Sequence, residues 1–199
     1  MLGDLFRRVG SPRLSIADAR VRLHAAVEGR LAVVPAPSHA KGDDRDRNQR
    51  IADAQRAVQG GDLASAIKMY EALAKAYPED TRFRLKLGDC CARVGDVTNA
   101  TATYLAVAQQ YEAQGSHLKA VAVYKQVLKM HGHSPMDATE ANRPNLLIAH
   151  VFHALAGLYE RLGLLSDALL AFEEFLKYAE TTDERAPSVR ERVAELQRS

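Results

Sequence analysis

The fold class this chain predicts is all-α, a right-handed solenoid of about three to four helical hairpins, and three observations predict it. The first is a short phrase, Gly then Ala five residues later then Tyr or Phe four after that. It is written four times, at Gly61-Ala66-Tyr70, Gly95-Ala100-Tyr104, Gly115-Ala120-Tyr124 and Gly163-Ala168-Phe172. A turn glycine followed by a small and an aromatic residue on one helical face describes the turn and second helix of a hairpin, and tandem hairpins build a solenoid. The second is composition: 47% apolar residues, only 6% aromatic and no Trp favour close-packed helices over a sheet sandwich. The third is that a stretch with helical-period apolar residues stands about fourteen residues upstream of three of the four phrases.

Taken in order, Met1–Gly10 places Leu2, Leu5, Phe6 and Val9 at helical spacing opposite Arg7 and Arg8. Ser15 then reads as an N-cap with Asp18 three residues on, and Ile16, Leu23, Val27 and Leu31 make one stripe. Residues 1–33 are therefore an amphipathic helical segment. Val34 to Ser38 and the charged run up to Asp46 hold Pro, Gly and Asp at a density that builds no core, so 34–46 is a linker. The repeat domain follows over 47–199.

Its first helices are expected at Arg47–Gly60, with small Ala54 and Ala57 at the close approach, at Thr81–Val94, with Leu87, Gly88 and Cys91, and at Ala149–Leu162, with Phe152, Leu155, Ala156 and Tyr159. Spacing shapes the rest. Gly95 and Gly115 are twenty residues apart, so the helix from Val97 to Gln114 closes the second hairpin and opens the third, and Tyr104, Val107, Ala108 and Tyr111 meet both patterns. Gly115 and Gly163 are forty-eight apart, and the surplus falls in an insert loop at 131–145. Pro187-Ser188 with Glu191 reads as a capping box for a final helix over 188–198, whose Val189, Val193 and Leu196 cover the last hairpin while Arg190, Arg192 and Glu195 face water.

These residues carry a resemblance. Phe152, Leu155, Ala156, Tyr159, Gly163, Ala168 and Phe172, then Leu87, Gly88, Gly95, Ala100 and Tyr104, and then Ala54, Gly61, Ala66, Tyr70 and Pro78 match the pattern of the tetratricopeptide repeat, a helix-turn-helix unit of about 34 residues. Over about 47–180 the chain resembles that family, of a bacterial type. The resemblance implies a concave groove that binds extended peptides or partner helices, lined by first-helix positions that packing leaves free. Those positions are Gln55, Arg82, Lys86, Asp89, Arg93, His150, His153 and Arg161. Arg82, Lys86 and Arg93 make a basic stripe suited to acidic groups of a partner. The carboxylate clamp of some co-chaperones of the family is matched by Lys86 alone.

Other chemistry finds little footing. No GxSxG, Walker-type loop, HExxH or paired-carboxylate constellation is present, so no catalytic residue is expected and the chain reads as no enzyme. His131, His133, His150 and His153 are the one cluster of metal-ligand type; with no acidic or cysteine ligand beside them in sequence, they read as a recognition surface, and neither metal nor cofactor is expected. Adjacent Cys90 and Cys91 suit packing, since neighbours on a helix diverge. Residues 1–50 carry ten Lys and Arg against six Asp and Glu, too thin an excess for a phosphate-tracking surface, so nucleic acid is not an expected partner. No apolar run reaches the roughly 18 residues of a membrane span, and no secretory signal is seen, which leads us to expect no membrane insertion and a cytoplasmic location. The expected function is a non-catalytic adaptor or scaffold that holds a segment of another protein. A chaperone for secreted or pilus-type subunits, dimerising through residues 16–32, is the alternative, and a metal-dependent enzyme the remotest.

Overall fold

The computed structural model describes residues 44–132, 145–179 and 182–198. The expectations for 1–33, including dimerisation through 16–32, for 34–43 of the linker and for 133–144 of the insert lie outside the described residues.

Among the described residues eight helices follow one another: α1 Asp44–Gln59, α2 Leu63–Ala76, α3 Thr81–Arg93, α4 Val97–Ala113, α5 His117–Met130, α6 Leu146–Arg161, α7 Leu165–Tyr178 and α8 Ala186–Leu196. Among the described residues there is no strand. Each helix packs on its neighbour in sequence, the serial layering of a solenoid. The first described helix begins at Asp44, inside the stretch expected as linker, with Asp46 paired to Arg50 one turn on.

The turns show why the phrase recurs. Gly95 takes φ +80° and Gly115 φ +69°, left-handed values that a Cβ disfavours. Beyond them the Asp96 N–H donates to Cys91 O at 2.9 Å and the Ser116 N–H to Tyr111 O at 2.8 Å, which terminates α3 and α4 and reverses the chain. Asp62 and Asp96 then accept from the Ser65 and Asn99 N–H groups and so start α2 and α4. The small and aromatic residues of the phrase sit at the helix contacts: Ala66, Ala100, Ala120 and Ala168 are 0% exposed, and Tyr70, Tyr104, Tyr124 and Phe172 are all buried.

α4 has the double duty that its spacing implied. Ala100, Thr101, Tyr104, Leu105, Val107, Ala108 and Tyr111 are all buried on it. At 100° per residue they cover an arc of about 160°, against about 100° for the buried set on α2. α4 packs against α3 on one side and α5 on the other.

The end of the chain departs from expectation. α8 starts at Ala186, and Ser188 lies inside it, its hydroxyl donating to Arg185 O at 2.9 Å, so there is no capping box. Asp183 sets the start instead, accepting from the Arg185 N–H at 2.9 Å and from its guanidinium at 2.9 and 2.7 Å. Pro187 follows in the first turn, where a missing N–H costs nothing. Ala186 and Val189 are buried, α8 packs on α7, and Arg192 reaches Glu160 of α6 at 2.5 Å.

Candidate functional site

The face of the first helices that packing leaves free carries two polar hollows, and most of the residues expected to line a groove fall in one or the other. Gln55 of α1 and Lys86, Asp89 and Arg93 of α3 line the first, of about 760 Å³, together with Tyr70, Tyr104 and Gln126. His150, His153 and Arg161 of α6 line the second, of about 330 Å³, with Gln109, Glu112 and Tyr124. The two are built alike. Each takes residues from one first helix, the aromatic of the phrase from the helix that follows, and the next first helix down to its closing Arg. α4 contributes Tyr104 to the first hollow and Gln109 and Glu112 to the second, so the helix shared by two hairpins is also the wall between their hollows.

Arg82 lies in neither hollow. Asp80, two residues earlier, accepts from its guanidinium at 2.8 and 2.7 Å and also from Arg47 at 2.8 Å, and these donors hold the Asp80 carboxyl below its ordinary pKa. Lys86 leans toward Asp89 at 3.6 Å. The basic stripe expected along α3 therefore does not form: its first member is folded back onto the preceding loop and its second is shared with an acid.

Sequence reasoning placed Tyr104 and Tyr124 in the packing and stopped there. Their rings are buried, but the Tyr104 hydroxyl donates to Asp89 Oδ1 at 2.7 Å and the Tyr124 hydroxyl to Glu112 Oε1 at 2.6 Å. Burial first, and then the carboxylate each faces, pushes both phenol pKa values up, so both remain donors. The available signal was the residue type: Tyr70, Tyr104 and Tyr124 carry a polar tip where Phe172 has none. Glu112 and Gln109 were hidden because α4 had been assigned wholly to packing.

The histidines are not the open recognition surface that the sequence suggested. His150 and His153 are half-buried, and the His153 ring meets Phe175 edge-on at 5.3 Å. Burial, followed by the Arg185 charge, takes His150 down to about 4 and lowers His153, which leaves both neutral at pH 7. His131 closes α5 rather than a metal site, its Nε2 2.9 Å from the buried Thr101 hydroxyl. His133 lies outside the described residues. Among the described residues, no three His, Cys, Asp or Glu side chains come together as a metal-ligand set. Cys90 and Cys91 are unbridged and buried, and burial pushes both thiols up and away from the reactive thiolate.

A third hollow, of about 540 Å³, opens on the opposite face of α6, where Phe152, Leu155 and Tyr159 meet Lys125, Leu128 and Lys129 of α5 and Leu170 and Glu174 of α7. It is mostly apolar, and Phe152 stacks on Tyr178 across it at 5.8 Å. Phe152, Leu155 and Tyr159 were expected as packing positions, and nothing in the order of the lining residues marks a cleft. Among the described residues, no helix is long and apolar enough to cross a membrane.

Residues 51–114 match the model of a tetratricopeptide repeat family. Among solved structures, the "MamA RS-1 ArsTM double mutant" is similar at 17% identity, over 80% of this chain and 97% of that chain, with a TM-score of 0.32. No curated protein matches the chain.

Proposed function

We propose, from the premise that this chain is a tetratricopeptide-repeat protein, that it is a non-catalytic adaptor holding a segment of a partner protein along the two polar hollows. Tetratricopeptide repeats are protein-interaction modules, and the helices here supply two adjoining hollows of the same construction. That equivalence carries the reading. Hairpins stacked only for stability need no repeated polar lining, whereas a surface that follows an extended chain does. The lining suits a peptide. Gln55 and Gln126 in the first hollow offer side-chain amides that both donate and accept, as a backbone requires, and the carboxylates and guanidiniums beside them supply selectivity. Catalysis has little support there: both histidines are neutral, His153 packs on the Phe172 and Phe175 rings, and the carboxylates accept from phenol hydroxyls.

The test is capture by the full chain, read by crosslinking and mass spectrometry, against a variant carrying Gln55→Ala, Gln126→Ala and Arg93→Ala. These are side chains at the surface of the hollow, so the helical CD signal and the melting temperature are expected to hold. Partners lost from the variant, with crosslinks mapping to α1, α3 and α6, support the reading. Partners retained in full, or crosslinked only to the apolar hollow beside α6, overturn it.

A further inference from the structure

The charged groups of the two hollows are used unevenly. The acids are taken: Asp89 accepts from Tyr104 and faces Lys86, and Glu112 accepts from Tyr124. The arginines that close the first helices are not. Arg93 ends α3 and Arg161 ends α6, each two residues before its turn glycine, each exposed and each on the rim of its own hollow. Neither makes a hydrogen bond or ion pair among the described residues. Most other arginines do: Arg47 and Arg82 with Asp80, Arg56 with Asp53, Arg84 with Gln110, Arg185 with Asp183, and Arg192 with Glu160. The same place at the other two turns holds Gln59, itself part of the first hollow's lining, and Ala113, so each hollow has one such arginine, supplied by the later of its two first helices.

From this imbalance we infer that Arg93 and Arg161 are paired anchor points for two carboxylate side chains of a single extended partner segment, one in each hollow. The inference rests on the groove reading above and gives that partner a chemistry. An arriving segment meets acids already satisfied by phenol hydroxyls and guanidiniums that are not. A guanidinium grips a carboxylate through two parallel N–H donors, a geometry a lysine ammonium does not reproduce. Two such grips on one chain add as a linked pair: once the first is made, the second forms at the effective concentration the spacer sets. Lys86 already has Asp89 at 3.6 Å as a partner, which leaves Arg93 as the unpaired cation of the first hollow. The basic patch of α3 thus resolves into one arginine per hollow.

The experiment is an NMR titration of the full chain at physiological salt, following the Arg Nε–Hε signals and the side-chain amides of the groove glutamines. The probes are blocked Ser/Gly/Ala peptides carrying one Glu, two Glu at three different separations, or Gln in place of Glu. The expected result is that the Arg93 and Arg161 signals move together and saturably with a two-Glu peptide at one preferred separation. That peptide should bind about tenfold or more tightly than the one-Glu probe, and Arg93→Gln or Arg161→Gln should each bring it back to the one-Glu level. Gln peptides that shift Gln55 and Gln126 as strongly, with no dependence on either arginine, would overturn this inference and leave the groove reading standing. Glu peptides that move Arg45 and Arg190 as much as Arg93 and Arg161, with the groove amides still, would overturn both.

Discussion

Tyr104 lies against Gly88 with no room for a methyl group between them: a Cβ on Gly88 would stand 2.8 Å from Tyr104 Cε1 and 3.1 Å from Cδ1 and Cζ. The ring cannot swing away cheaply, because its hydroxyl is tied to Asp89 one residue along α3. Gly88→Ala is therefore expected to destabilise the fold by about 1–3 kcal/mol through overpacking, even though alanine is the better helix former by about 1 kcal/mol. Urea unfolding of the variant measures this. A neutral or stabilised Gly88→Ala protein would mean that α3 and α4 sit farther apart than described.

The phenol hydroxyls give a second pair of expectations. Tyr104→Phe and Tyr124→Phe each keep the buried ring and remove a donor to a carboxylate at 2.7 and 2.6 Å. Hydrogen bonds to charged groups contribute about 1.5–3 kcal/mol, so each change should lower stability by about 1–2 kcal/mol, allowing for the water that reaches a carboxylate on a rim. Tyr124→Phe with Glu112→Ala in a double-mutant cycle should show the two losses coupled, since both remove the same bond. Strict additivity of the unfolding free energies would count against that contact.

Acid should loosen the α6–α7–α8 corner before it affects the first hairpins. His150 titrates at about 4 in the folded chain against 6.5 ordinarily, and His153 is shifted the same way. Between those values the unfolded chain binds more protons than the folded one, so stability rises with pH there and is lost as pH falls from about 6.5 toward 4. Below about 4 the folded His150 is protonated as well, and its share of the loss is complete. For His150 that loss amounts to about 3 kcal/mol. Melting of wild type and His150→Gln from pH 7.5 to 4.5 should show the wild type falling more steeply. Parallel curves would remove His150 as the cause.

How much of this the sequence disclosed depends on the distance over which each feature is decided. Hairpin register is local and repetitive: Ala100 and Tyr104 share one face at i, i+4, and the turn at Gly95 fixes which face that is. The shared helix followed from arithmetic, since twenty residues between Gly95 and Gly115 leave room for one helix, not two. What escaped was decided by a neighbour outside the pattern. Arg82 was counted into a basic stripe because helical spacing put it there, but Asp80 in the loop before α3 competes at 2.7 Å for its guanidinium. Ser188 had the spacing of a capping box, but Asp183 started α8 earlier and left the serine inside the first turn. The Tyr104–Asp89 and Tyr124–Glu112 contacts join helices fifteen and twelve residues apart, and periodicity within a helix is blind to them.

The last hairpin carries a weakness that one substitution should correct. Its turn reaches α7 through Leu164, whose φ −87° and ψ 66° nearly coincide with those of Asp62 (−78°, 71°) and Asp96 (−81°, 73°) at the same place. Those aspartates accept from an N–H in the first turn of the following helix at 3.1 Å, whereas Leu164 makes no such bond. The leucine is 43% exposed, so its burial offsets only part of what the missing acceptor costs. Because the backbone already holds the capping geometry, Leu164→Asp requires no rearrangement, and a negative charge there also suits the helix N-terminus. The expected outcome is a gain of about 0.5–1.5 kcal/mol in unfolding free energy, seen as a higher denaturant midpoint with an unchanged slope. A lower midpoint would mean that the half-covered Leu164 side chain contributes more by packing than an aspartate contributes by capping.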